Sequence, residues 1–109
     1  IGKEGADPLY HAPTFIVLST VVPENDPVGY SNAGCVIENM ALAATELGLG
    51  TVYIYGMFDD LRLKKNYVLK AYLSIPENME PISGIVIGYP NGDGKKKELA
   101  GEKIRTVYL

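Results

Sequence analysis

The sequence predicts a single domain in which helices pack on a β-sheet. Two observations carry this. Apolar, β-branched runs at Thr14–Val22, Gly50–Tyr55 and Ile82–Pro90 alternate with helix-like segments at Ser31–Leu47 and Lys65–Leu73. The alanine-rich segment ENMALAATELGLG ends on closely spaced glycines and runs straight into TVYIYGM, a helix followed at once by a strand. At 109 residues the chain has room for one core and no more. Strands separated by single helices are compatible with a parallel sheet, and periodicity alone leaves that open.

Each element has a local reason. Thr14–Val22 is apolar on both parities, as suits a strand covered on both faces, and Pro13 and Pro23 bound it. Pro23–Asn32 is rich in turn formers. A helix is expected from about Ser31, with Ser31 or Asn32 capping its first turn. Val36, Met40, Ala43, Ala44 and Leu47 recur at three- and four-residue spacing and form the expected buried stripe. Gly48 supplies a left-handed stop. The polar stretch FDDLRLKK reads as a connection into the helix at Lys65–Leu73, with Val68, Leu69 and Tyr72 on one side. SIPENMEP is a Pro-bounded connection, NGDGKKKE a turn, and IRTVYL from Ile104 a short terminal strand.

Composition narrows the function classes. Hydrophobic residues at 47% and charged residues at 21% fit an ordered globular chain. The net charge of −3 argues against a nucleic-acid binder that relies on phosphate contacts. Charge is unevenly spread: residues 1–90 hold five Lys/Arg against ten Asp/Glu, and residues 91–109 hold five against three. The single cysteine, Cys35, rules out an intrachain disulfide and reads as a small core residue. No apolar run approaches the roughly 18–20 residues that cross a bilayer, and no signal peptide is visible. A cytoplasmic location and no membrane partner are expected. His11, the only histidine, has no carboxylate, Ser or Cys spaced as a triad or metal set and reads as incidental.

Four segments, in order, carry a resemblance. PLYHAPTFIVLS from Pro8, ENMALAATELGLG from Glu38, TVYIYGM from Thr51 and YLSIPENMEPISGIVIGYP from Tyr72 are similar to successive features of the FMN-dependent nitroreductase family. They are its Tyr-x-Ala-Pro entry to a central strand, its central helix, the strand end that meets the flavin, and its Leu-x-Ile-Pro-Glu and Gly-Tyr-Pro features. The likeness covers about residues 8–99. It implies an α+β fold, a mixed or antiparallel sheet with packed helices. It also implies that residues 1–109 are the C-terminal part of one such domain, because the family's N-terminal Arg-x-Ser-x-Arg stretch and dimer-building helices have no counterpart here.

The resemblance further implies FMN as cofactor, NAD(P)H and a small nitroaromatic, quinone or similar acceptor as partners, and a homodimer. In the family, backbone groups at the strand end face the flavin ring, which assigns that contact to Tyr53, Ile54, Tyr55 and Gly56, with Gly56 admitting the ring closely. Lys95 and Lys97, with Lys96 between them, stand where the family places a cation for the flavin phosphate. A solvated turn is the alternative for these lysines. Asn39 matches the family's helix asparagine and is expected to bond a neighbouring strand. No side-chain acid, base or nucleophile stands out, as expected when the flavin carries the chemistry. A non-catalytic remnant or interaction module that retains part of the fold is the other reading.

Overall fold

The structure is a computed structural model and describes residues 7–21, 27–63, 67–92 and 107–109. In chain order its elements are β1 (Thr14–Val21), α1 (Pro27–Glu46), β2 (Gly50–Ile54), α2 (Gly56–Leu63), α3 (Tyr67–Tyr72) and β3 (Met79–Gly88). The three strands form one sheet in the order β1-β3-β2, and both pairings are antiparallel. The parallel alternative is therefore excluded, and the α+β architecture holds.

The last described strand in sequence lies in the middle of the sheet and is the most completely buried of the three. Pro81 to Val86 are all buried, and Ile82, Ile85 and Val86 keep at most 2% of their surface. Burying a side chain of this size contributes roughly 1.5–3 kcal/mol. β3 begins three residues before Ile82 and runs through Pro81. A proline fits there because β2 pairs only with Gly84–Gly88, so no ladder bond from that side is due at Pro81. Opposite β1 the register slips between Leu18 and Ser19, which leaves Ile82 as the extra residue of a bulge.

Side chains of alternating parity bury different layers. Val86 joins Ile54, Met57 and Phe58 in one cluster, with Leu9, Ala12, Phe15 and Val17 packed around it. This is the face that α2 covers. On the other face, Leu18 shares a small cavity with Ala33, Val36 and Ile82, which places α1 there. Ser83 is buried in β3, and its Oγ has no hydrogen-bond partner.

Helix α1 starts four residues earlier than Ser31, with Pro27 in the first turn, where the missing amide of proline would be unpaired anyway. Ser31 is consequently not a cap; its Oγ donates back to the Pro27 carbonyl at 3.1 Å. The end of the helix is as expected. Gly48 holds φ 75°, its amide reaches Thr45 O at 3.0 Å, and the Leu49 amide reaches Ala44 O at 2.8 Å.

The buried stripe of α1 is Ala33, Ile37 and Ala44, with Met40 partly covered. Val36, Ala43 and Leu47 are exposed, Leu47 by 75%. At 3.6 residues per turn the true stripe lies about 50° from the expected one. Alanine causes the discrepancy: it fits a covered face or a bare one, so the sheet alone decides which row it touches. Cys35 is exposed too, and is not a core residue.

Of the polar stretch after β2, residues 58–63 are helical and not a connection, and Lys64 and Lys65 lie outside the described residues. Met57 and Phe58 bury themselves under the sheet, and α2 grows from that anchor. Of the expected helix Lys65–Leu73, Tyr67–Tyr72 is helical, Leu73 falls in the turn after it, and Lys65 and Asn66 lie outside the described residues. Val68 and Tyr72, two residues of the expected apolar side, are more than 80% exposed and not buried. Its end repeats the α1 stop with Ser74 at φ 57°, the Ser74 amide on Ala71 O at 3.0 Å and the Ile75 amide on Lys70 O at 2.9 Å. Lys70 Nζ, with 12% of its side chain exposed, donates to Glu80 Oε1 at 2.9 Å and ties α3 to the start of β3. Residues 107–109 are irregular, and Ile104–Thr106 of the expected terminal strand lie outside the described residues.

Candidate functional site

Strand β2 is an edge of the sheet, so one side of its backbone presents N–H and C=O groups outward. Ile54, its last residue, points into the core with 6% exposure, while Tyr53 on the opposite parity is 52% exposed. Tyr55 leaves the strand, and its carbonyl accepts the Phe58 amide at 3.0 Å to close the first turn of α2. Buried Ile54 on one side and buried Met57 and Phe58 on the other therefore hold the segment 55–56 between two core anchors.

The space beside this segment is open. A β-carbon placed on Gly56 would meet nothing within 4 Å. The earliest amides of a helix have no intrahelical acceptor, and here they begin at Gly56. Tyr53 and Tyr55 stand with ring centroids 6.4 Å apart and planes at 49°. The site thus consists of rigid backbone donors beside exposed rings. A planar ring with acceptor atoms on its edge, such as isoalloxazine, fits that donor set and the room at Gly56.

The structure brings Tyr53, Ile54, Tyr55 and Gly56 together as one corner. Lys95, Lys96 and Lys97 lie outside the described residues. Asn39 is not joined to a strand: its Nδ2 donates to Cys35 O, one turn earlier in the same helix, at 3.0 Å. Among the described residues no group of three or more His, Cys, Asp or Glu could hold a metal. No helix of the described residues is long and apolar enough to cross a membrane.

His11 has a local role that the sequence reading missed. Asp7 accepts the Leu9 amide at 2.9 Å and the His11 amide at 2.6 Å, and its Oδ2 lies 3.1 Å from His11 Nδ1. The Leu9 amide, then the His11 amide, hold the Asp7 carboxyl below its ordinary pKa. The signal was Asp7 just before this turn: an Asx-type turn bonds the side chain to the amide two residues on, here Leu9, and the second oxygen reaches the His11 amide. This turn and the start of β2 border a cavity of about 290 Å³, at the opposite end of the strand from Tyr55.

A model of the nitroreductase family matches residues 2–89. The chain is 33% identical over 78 residues to the FMN reductase (NADPH) of Bacillus subtilis, covering 71% of this chain and 29% of that protein. It is 35% identical over 66 residues to an NADPH-dependent oxidoreductase of Staphylococcus haemolyticus, covering 61% and 24%. Among solved structures, the nitroreductase of Bacteroides fragilis with bound FMN superposes with a TM-score of 0.80 at 27% identity, covering 98% of this chain and 57% of that one. The match thus spans 24–29% of the length of these curated relatives, and just over half of the solved one. With the match running through β1, α1, β2 and β3 alike, the chain belongs to the nitroreductase family.

Proposed function

We propose that this chain is part of an FMN-dependent oxidoreductase that takes reducing equivalents from NAD(P)H and delivers them to a nitroaromatic, quinone or similar small acceptor. The observation that carries the reading is the corner at Tyr53–Gly56, an edge-strand backbone pinned by Ile54 and Phe58 with open space over Gly56. The relatives add weight: two are named for NADPH, and a third holds FMN. When bound, FMN supplies the two-electron exchange between nicotinamide and acceptor.

The chain's own residues position and polarise. Backbone amides around Tyr55 and Gly56 face the edge of the flavin ring, where fixed donors stabilise developing charge without reorganising. Gly56 admits the ring because no β-carbon stands there. Lys95 and Lys97 pair with the phosphate, for which a charge-assisted contact contributes about 1.5–3 kcal/mol. The working form is a homodimer, and the exposed Leu42 and Leu47 support this.

A fluorescence titration with FMN and riboflavin tests the reading. FMN should bind more tightly than riboflavin, and Lys97→Glu should weaken FMN roughly ten- to hundredfold while leaving riboflavin nearly unchanged. Flat FMN affinity across Lys95 and Lys97 variants would make these lysines a solvated turn. Failure of both flavins to bind would favour the non-catalytic interaction module.

A further inference from the structure

The turn leading into β1 is held in an unusual shape. Tyr10 and His11 are consecutive, carry side chains, and both adopt left-handed φ, at 55° and 54°. That conformation is unfavourable for such residues and persists only when something fixes it. The Asp7 carboxylate does so, through the Leu9 and His11 amides. The turn therefore fixes the backbone from which two ring side chains project at the start of the sheet.

Beside that turn lies the cavity of about 290 Å³, close to the lower limit of typical ligand pockets at roughly 300 Å³. Tyr10, His11 and Tyr89 line it together with the apolar Val52, Val86 and Pro13. Tyr10 is 65% and Tyr89 88% exposed, although large rings usually bury. Gly50 and Gly88, which also line the cavity, face each other across the β2–β3 pairing. A β-carbon on Gly88 would meet Pro13 Cδ at 3.1 Å and one on Gly50 would meet Pro90 at 3.5 Å, so the two glycines admit these prolines. No Asp, Glu, Lys or Arg is among the described residues that line the cavity.

We propose that this cavity binds one neutral, planar aromatic ring, gripped by Tyr10, His11 and Tyr89 beside Val52 and Val86. Exposed aromatic side chains hold flat rings by stacking, and an uncharged lining favours an uncharged guest. A purine base of a nucleotide and the ring of a quinone share this chemistry. The site lies at the far end of β2 from Tyr55 and does not depend on flavin binding.

The experiment is a methyl NMR titration of the full chain, read at Val52 and Val86, with adenosine in one arm and tetramethyl-1,4-benzoquinone in the other. Saturable shifts at both valines are expected in at least one arm. A response to adenosine alone identifies a nucleotide base as guest, and a response to the quinone alone identifies an acceptor. Tyr10→Leu and Tyr89→Leu should each weaken binding roughly five- to hundredfold, whereas Tyr89→Phe keeps it. Both tyrosines are exposed, so these variants should keep the parent fold and its methyl spectrum. Absence of saturable shifts in both arms, or parent-like affinity in either leucine variant, overturns the proposal.

Discussion

The carbonyl of Tyr55 accepts the amide of Phe58 at 3.0 Å, and through this bond a fully buried ring sets the geometry of an exposed corner. Phe58 has 0% exposure and lies 6.1 Å from Phe15, centroid to centroid. The flavin corner proposed above is therefore supported from inside the core. Phe58→Ala should cost about 3–5 kcal/mol of stability, as large buried aromatics do when truncated. Urea unfolding measures the loss, and amide shifts at Tyr55 and Gly56 should move with it. A change below about 1 kcal/mol would contradict the packing described.

At the corner itself, two substitutions should separate backbone from side-chain roles. Tyr55→Phe keeps the backbone and the ring, so flavin affinity should change little. Gly56→Val puts two methyl groups into space that is otherwise empty, and should impair flavin binding while the protein stays folded. Circular dichroism checks the fold and flavin fluorescence the affinity. Equal tolerance at both positions would remove the ring from this corner.

Two neighbouring residues of β3 should respond in opposite ways to alanine. A β-carbon on Gly84 would lie 2.6 Å from Phe15 Cε2 and 2.7 Å from the Ile16 carbonyl oxygen. Because one obstacle is backbone, Gly84→Ala should destabilise by about 1–3 kcal/mol. Ser83→Ala removes a buried hydroxyl that has no partner, so it should be neutral or stabilising. Thermal melts of the two variants give the comparison, and a large loss at Ser83 would reveal a bond that the hydroxyl makes in solution.

Two exposed leucines predict association. Leu42 on α1 and Leu47 just past its end are 59% and 75% exposed, and exposed apolar surface of this kind is commonly an interface. Light scattering should give a mass above that of one chain. Leu42→Lys combined with Leu47→Lys should lower it. A monomer at high concentration would leave this surface without a partner chain.

The turn at Asp7 should loosen in acid. Its carboxyl pKa is depressed, chiefly by the Leu9 amide and then by the His11 amide. A depressed carboxylate holds its turn above the unfolded-state pKa, near 3.9, and releases it as pH falls through the lower folded value. Amide shifts of Leu9 and His11 should therefore be steady at neutral pH and change together below about pH 4. Asp7→Asn should abolish that step. Independent titration of the two amides would mean that they do not share the carboxylate.

Much of the fold was legible because it depends on neighbours in the chain. Pro13 and the β-branched run mark β1, and Gly48 ends α1 in the left-handed turn that only a residue without a β-carbon adopts freely. The corner at Tyr53–Gly56 was found through the likeness of TVYIYGM to family members, since backbone donors leave almost no side-chain signature. What the sequence by itself determined was the order of the three strands and of α1 and α3 among them, the stop after α1 and the family. Only the tertiary structure decided that β3 lies centrally between antiparallel partners, that Met57 and Phe58 nucleate α2 from a polar stretch, and which row of α1 is covered. The physical reason is the same in each case. Strand order, helix rotation and the burial of an ambiguous apolar pair depend on surfaces distant in sequence, and alanine-rich or mixed segments are compatible with more than one of them.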